Sequence, residues 1–426
     1  MTIPVLIIPV LTRKLTKEPA EQKMVLKDSV IKRRYFDWAA SAPYEASCEK
    51  IMNTYPFGNP SSLHHEGRAA KQVIEDARKR CAAVLNVPPQ TLYFTSGGTE
   101  SNSIALFSNL MRKGSARVIS SLAEHSSVRE GMETLERMGK PAGRIEVDAI
   151  GRVNAKTLAK ALFSHGDVRF ISVMSVNNET GAVTDIASLR DVIRNETGAP
   201  IHFHCDMVQA AGKIPADITN WDIDSASISA HKIGGPRGIG LLYLRRPLEV
   251  FYSGGGQEKG IRGGTENTGG AAALACCLEK HFLQIRNEEL EMKSGLLSDY
   301  SARLEQYNSA KSRWKRLICG LCAIKRCTLI PGERIENEEW FSPYILQAAF
   351  KDIPGEVMAR ALDDLGFAVS TGSACSSSSP ERPVLIAMGV EEKLRIEGIR
   401  ISQGWSTTDE DIDLLIEAVA EVLKFL

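Results

Sequence analysis

The chain reads as an α/β protein: a large unit with a mostly parallel sheet between helices, and a smaller α/β unit beside it. Three observations point there. Apolar runs of strand length alternate with stretches whose apolar residues recur at three and four. Glycine-rich turns join the two kinds of segment, and polar residues gather at or just after the expected strand ends. Sheets built from strand-helix-strand units bind ligands beyond the carboxyl ends of their strands, so those polar residues mark one site.

The 426 residues, 43% hydrophobic and 24% charged, give room for two packed domains. Lys+Arg and Asp+Glu are both 52, so no bulk positive field is available to hold nucleic acid, and no polybasic cluster suits a membrane surface. The most apolar stretch, Ile3 to Leu11, is interrupted by Pro4 and Pro9 and falls well short of the ~20 residues a membrane span needs. It also lacks a preceding cationic segment, which makes it a poor signal peptide. Nine scattered cysteines fit reduced thiols, and the expected location is cytoplasmic.

Residues 1–34 show little periodicity and are expected to be an extension, with Met24 an alternative start. YFDWAASAP, from Tyr35, is a short strand followed by a proline turn, and FGNPSSLHHEG, Phe57 to Gly67, is a loop with a solvated histidine pair. After Gly67 the positions Ala70, Val73, Ile74, Ala77, Cys81, Val84 and Leu85 form a helix that Pro88 and Pro89 stop. In LYFTSGGTESN, Leu92 to Asn102, a strand runs into Gly97 and Gly98, and Thr99 and Glu100 open a helix. Free amides there, with the Thr99 hydroxyl, suit a phosphate, although any tight turn would use the same glycines.

Strand Val118 to Ser121 leads to Glu124 and His125 and then a helix near Ser127 to Met138. Strand Arg169 to Val176 ends in Asn177, Asn178 and Glu179, and strand Ile201 to Cys205 ends at Asp206, with Gln209 beyond. His202, His204 and Asp206 alternate and so share one face; they read as metal ligands, or as Asp206 alone meeting an organic cation.

The stretch that organises the rest is SASISAHKIGGPRGIGLLYL, Ser225 to Leu244. Strands Ala226 to Ser229 and Ile239 to Leu244 flank a glycine turn carrying Lys232, where desolvation would favour a neutral, carbonyl-trapping amine. Ser253 to Thr265 is a second glycine-rich loop, placed near an anion or simply at the surface. A helical pattern follows from Ala271 to about Leu304. Cys319, Cys322 and Cys327 are expected on one or two strands as buried small hydrophobes, since a metal there lacks a fourth ligand. Ala368 to Pro380 is a strand passing into a serine-rich loop with Cys375, an incidental thiol or a nucleophile that travels. Arg400 lies in strand GIRIS, and Thr407 with Glu410 is expected to cap the last helix, Ile412 to Leu426.

Taken together, YFDWAASAP, GNPSSLHHEG, LYFTSGGTESN, AEH at Ala123 to His125, SVNNETG, HCDMVQAAGK, SISAHKIGGPRGIG, GGGQEKGIRGGTEN, STGSACSSS and IRIS resemble, in order, the motifs of the pyridoxal-phosphate-dependent cysteine desulfurases of the class V aminotransferase group. The resemblance runs from Tyr35 to the C-terminus and is closest to the branch with a long flexible cysteine loop. It implies a fold-type-I PLP-dependent transferase divided as an extension (1–34), a large cofactor domain (50–288) and a small domain (35–49 with 289–426). The reaction implied is L-cysteine to L-alanine, with sulfur passed as a persulfide toward iron-sulfur cluster assembly or thiolation.

In that family's terms Lys232 would form the internal aldimine with pyridoxal 5'-phosphate and shuttle the proton at the substrate Cα, Asp206 would pair with the ring nitrogen, and His125 would stack on the ring and assist proton transfer. Gly98, Thr99, Ser229 and His231 would hold the phosphate, joined by Thr265 from the second subunit of a homodimer. Gln209 would bond the ring hydroxyl, Asn178 the substrate side, Arg400 the substrate carboxylate, and Cys375 would take the sulfur. No metal is implied, and a sulfur-acceptor or scaffold protein is the expected partner. Alternatives are a selenocysteine lyase, another class V enzyme, or an inactive scaffold of a sulfur pathway. The chain departs from the family pattern at Ala230, at Gln403-Gly404-Trp405, in residues 1–34 and across Trp314 to Trp340.

Overall fold

The computed structural model describes residues 32–114, 116–198, 200–283, 297–372 and 382–426. Its strands are β1 (Arg34–Tyr35), β2 (Leu92–Thr95), β3 (Arg117–Ser121), β4 (Ala142–Ile145), β5 (Val168–Met174), β6 (His202–Asp206), β7 (Ser225–Ser229), β8 (Gly240–Leu244), β9 (Cys327–Ile330), β10 (Ile345–Phe350), β11 (Phe367–Ala368) and β12 (Gly398–Ser402). The helices are α1 (Ala46–Thr54), α2 (His65–Leu85), α3 (Gly98–Phe107), α4 (Ser126–Arg137), α5 (Ala155–Ser164), α6 (Ile186–Glu196), α7 (Thr268–His281), α8 (Leu297–Cys322), α9 (Gly355–Asp364), α10 (Pro383–Ala387), α11 (Glu392–Glu397) and α12 (Asp409–Phe425).

Seven strands form one sheet in the order β2-β8-β7-β6-β5-β3-β4. All its pairings are parallel except the two made by β8, which runs antiparallel to both β2 and β7. Parallel strands covered on both faces must be apolar throughout. VRFISVM in β5 is accordingly buried except at Arg169, and HFHCD in β6 except at His202. The carboxyl ends of β3, β5, β6 and β7 therefore lie along one edge, which carries His125, Asn178, Asp206 and Lys232 into one neighbourhood.

The three-stranded sheet, β12-β10-β9, is antiparallel and has its own apolar cluster with Phe36, Trp314, Leu317, Phe350, Ile401 and Val419. Tyr35 and Arg34 pair in parallel with β11, and Asp37 bridges to Ser402, so the chain's early segment is held by its late one.

Several expected boundaries move. Helix α2 opens at His65 because the His64 ring accepts the Gly67 amide and supplies the cap, so the preceding loop is shorter than Phe57 to Gly67. The last helix is capped by Thr408 with Asp411, one residue beyond the expected pair, the two side chains each meeting the other's backbone amide. The cysteine-rich segment is not a strand. Trp314, Leu317, Ile318 and Leu321 recur at helical spacing and bury one face of α8, which leaves Cys319 and Cys322 exposed and Cys327 half-buried at the start of β9. Among the described residues no group of three His, Cys, Asp or Glu could hold a metal ion. The helical pattern expected from Ala271 is α7, which ends at His281; α8 begins at Leu297.

Candidate active site

A cavity of about 300 Å³ opens at that strand edge. Lys232 lies in a single helical turn, Ala230–Lys232, between β7 and β8. The two strands pair antiparallel with Ser229 opposite Gly240, and a Cβ at 240 would meet the Gly97 Cα at 2.6 Å, so glycine there lets the β2-α3 turn pack beside the lysine turn. The Lys232 amine donates to the carbonyls of Ala39 and Ala40, at 2.7 and 2.8 Å, and faces the cavity half-buried. Those two carbonyls come from the YFDWAASAP motif, whose part in the site the sequence did not reveal.

Asp206, at the end of β6, is buried; one oxygen accepts from the Val208 amide at 2.9 Å and the other from the Asn102 side chain at 2.8 Å. Asn102 also meets His204, which with His202 stacks on Phe170. Burial drives both imidazoles to about 3, so they stay neutral, and with both His204 ring nitrogens on Ser225 and Asn102 and the His202 Nε2 on Ser225 they act as hydrogen-bonded packing around Asp206.

His125 caps α4: its Nδ1 accepts the Ser127 amide at 3.2 Å, which leaves the neutral ring's proton on Nε2. Burial lowers its pKa against the opposing pull of Asp206. Beside it, Glu124 accepts from the Met174 amide at 2.6 Å and is pushed up to about 8 by burial and then by Asp206. Sequence reasoning placed Glu124 only in a loop.

The first turn of α3 leaves the amides of Gly98, Thr99 and Glu100 without helical partners, and Gly98, Thr99, Ser229 and His231 line the cavity around it. Burial lowers His231 to about 4, so it meets this region as a neutral donor or acceptor. Gln209 lines the same cavity, but its amide is already engaged: Nε2 donates to the Ala39 carbonyl at 2.9 Å and Oε1 accepts from Lys213 at 2.5 Å. Asn178 lines the cavity with its Oδ1 buried and without a partner among the described residues. Arg400 is buried, donating to Asp37 at 2.8 Å and to the Asn178 carbonyl at 3.0 Å. Thr265 is exposed and does not line the cavity of its own chain, although Arg262 in the same loop reaches Glu100 on α3 at 3.3 Å. Cys375 lies outside the described residues. Gly372 and Arg382, the nearest described residues on either side of it, both line the cavity.

Residues 34–313 match the model of the aminotransferase class-V family. The chain belongs to the class V aminotransferases. It is 35% identical to a cysteine desulfurase IscS of Vibrio cholerae, over 90% of this chain and 91% of that protein. A NifS/IcsS protein homolog of Lactobacillus delbrueckii is also 35% identical, over 92% and 97% of the respective chains. Among solved structures, a NifS-like protein superposes with a TM-score of 0.79 at 30% identity, covering 92% of this chain and all of that one. DndA from Streptomyces lividans does so with a TM-score of 0.67 at 30% identity, over 84% and 96%.

Class V aminotransferases use pyridoxal phosphate, and the cavity fits it. A lysine amine facing the cavity, a set of helix-start amides, a buried carboxylate and an unsatisfied amide oxygen are the donors and acceptors that an aldehyde, a phosphate, a ring nitrogen and a bound amino acid require.

Proposed function

We propose that this protein is a cysteine desulfurase that uses pyridoxal phosphate to convert L-cysteine to L-alanine and retains the sulfur on Cys375. The observation that carries the reading is that the residues flanking the Cys375 segment, Gly372 and Arg382, line the same cavity as the Lys232 amine. A transaminase has no need of a cysteine in the segment between them.

When bound, the cofactor supplies an electron sink adjacent to the substrate Cα. Lys232 anchors it and carries the proton at Cα, while Asp206 holds the charge on the ring nitrogen. Neutral His125, with its proton on Nε2, serves proton transfer near the substrate. Asn178 and Arg400 orient the amino acid. The Cys375 thiolate forms an S–S bond with the substrate sulfur as the Cβ–S bond breaks, and its electron pair is left on carbon, where a proton completes alanine. The free amides of α3 with Thr99, Ser229 and His231 hold the phosphate, with Gln209 at the ring hydroxyl. The protein works as a homodimer in which the partner subunit's Thr265 completes the phosphate site, and it passes sulfur to an acceptor for iron-sulfur assembly or thiolation.

Borohydride reduction of the protein loaded with pyridoxal phosphate tests the assignment: peptide mapping should place the pyridoxyl label on Lys232, and Lys232→Ala should lose both label and near-visible absorbance. Label on any other lysine would sink it.

A further inference from the structure

One wall of the cavity, with the Gln347 side chain packed behind it, carries polar groups whose hydrogen-bonding capacity is not used up. Asn178 Oδ1, Glu179 Oε2, both amide atoms of Gln347, Arg382 Nη1 and Arg400 Nε are all buried and have no partner among the described residues. Unsatisfied buried groups cost about 1–3 kcal/mol each, and a cluster of them is expected where a ligand completes the set.

The wall is built around two glycines. A Cβ at Gly398 would sit 2.6 Å from Gln347 Nε2 and 2.7 Å from Arg382 Nη1, and one at Gly372 would meet Gln347 Oε1 at 3.4 Å and Glu179 Oε2 at 3.8 Å. Glycine at 398 makes room for these side chains, whereas at 372 a Cβ would only touch them and the positive φ of 93° is what favours glycine. Arg400 already spends both terminal nitrogens on Asp37 and the Asn178 carbonyl. Among the described residues Arg382 hydrogen-bonds through Nη2 alone, to the Gly398 carbonyl at 2.6 Å. Burial raises the Glu179 pKa against the pull of Arg382 and Arg400, and lowers that of Arg382. The wall thus offers more cationic donor capacity than Arg400 alone.

We propose that Arg382 is a second carboxylate-binding residue, gripping the substrate's α-carboxylate together with Arg400. This rests on the desulfurase reading of the cavity. Because Arg382 directly follows the segment that contains Cys375, one bound carboxylate would tie that segment's C-terminal anchor to the substrate.

The test is spectroscopic titration of the pyridoxal-phosphate-loaded enzyme with L-alanine and with L-alanine amide, which lacks the carboxylate. Arg382→Gln should weaken L-alanine about ten- to a hundredfold and leave the amide within about twofold, and Arg382→Lys should recover part of the loss. Equal weakening of both ligands would mean a structural role, and unchanged L-alanine affinity would mean no contact; either overturns the proposal. If the wild-type protein shows no near-visible absorbance and binds neither ligand, the desulfurase reading itself fails, a different result from either of these.

Discussion

Replacing Glu258 by Ala should cost more stability than any exposed charge in the molecule. Glu258 accepts both terminal nitrogens of Arg78, each at 2.8 Å, with the two side chains 1% and 4% exposed. Its Oε2 also accepts the Phe94 amide of β2 at 2.8 Å, and Arg78 lies over the Phe94 ring while donating to the Leu92 carbonyl. Removing the carboxylate leaves the buried guanidinium only the longer, part-exposed Glu75 pair at 3.3 Å and the Leu92 carbonyl, so the loss, with the orphaned Phe94 amide included, falls toward the lower end of the about 3–5 kcal/mol of a broken buried pair. Replacing both residues, Arg78→Met with Glu258→Ala, removes the stranded charge and should recover at least about 2 kcal/mol of that loss. Urea unfolding followed by tryptophan fluorescence, with m values compared, measures both. The reasoning is refuted if Glu258→Ala loses less than about 1 kcal/mol, or if the double variant is as unstable as the sum of the singles. The consequence extends to the site, since β2 feeds directly into the Gly97-Gly98 turn that opens α3.

Other outcomes follow from the same geometry. Glu124 has a folded-state pKa of about 8 against an ordinary 4.5, so the folded chain binds more protons between those values and loses stability as pH rises through them. Glu124→Gln should therefore gain on the wild type as pH goes from 4.5 to 8, and a gap independent of pH in denaturation curves would contradict the burial argument. Arg400→Lys should raise KM for L-cysteine by the equivalent of about 1–3 kcal/mol, because one ammonium cannot hold Asp37 and the Asn178 carbonyl and still meet the carboxylate; unchanged kinetics would remove Arg400 from the substrate site. Cys375→Ala should keep the cofactor's absorbance and stop sulfide release, and full turnover by that variant would end its assigned role.

Much of the fold was legible because buried strands favour apolar runs, as in VRFISVM of β5 and GLLYL of β8, while β6 (HFHCD) and β7 (SASIS) alternate small or apolar residues with polar ones that find partners inside. Lys232, Asp206, His125 and Asn178 were legible for a related reason: strand ends in a parallel sheet share one edge, so polar residues placed there converge without any contact having to be foreseen. The groups that escaped notice act across long sequence distances. Asn102 meets Asp206 from 104 residues away, and the Ala39 and Ala40 carbonyls meet Lys232 from more than 190. Arg382 belongs to no motif, and only the space left by Gly398 marks its place. The α8 cysteines misled because an apolar run with regular thiols looks like a strand until the spacing of Trp314, Leu317 and Leu321 is read as helical.

The decisive measurement is a single turnover with sulfur-labelled L-cysteine in the absence of reductant, followed by quantification of alanine and of protein-bound label. Alanine and label on Cys375 should appear in a ratio of about one, and a thiol reductant should release the label as sulfide. Pyruvate in place of alanine, or alanine formed with no sulfur retained on Cys375, would contradict the account.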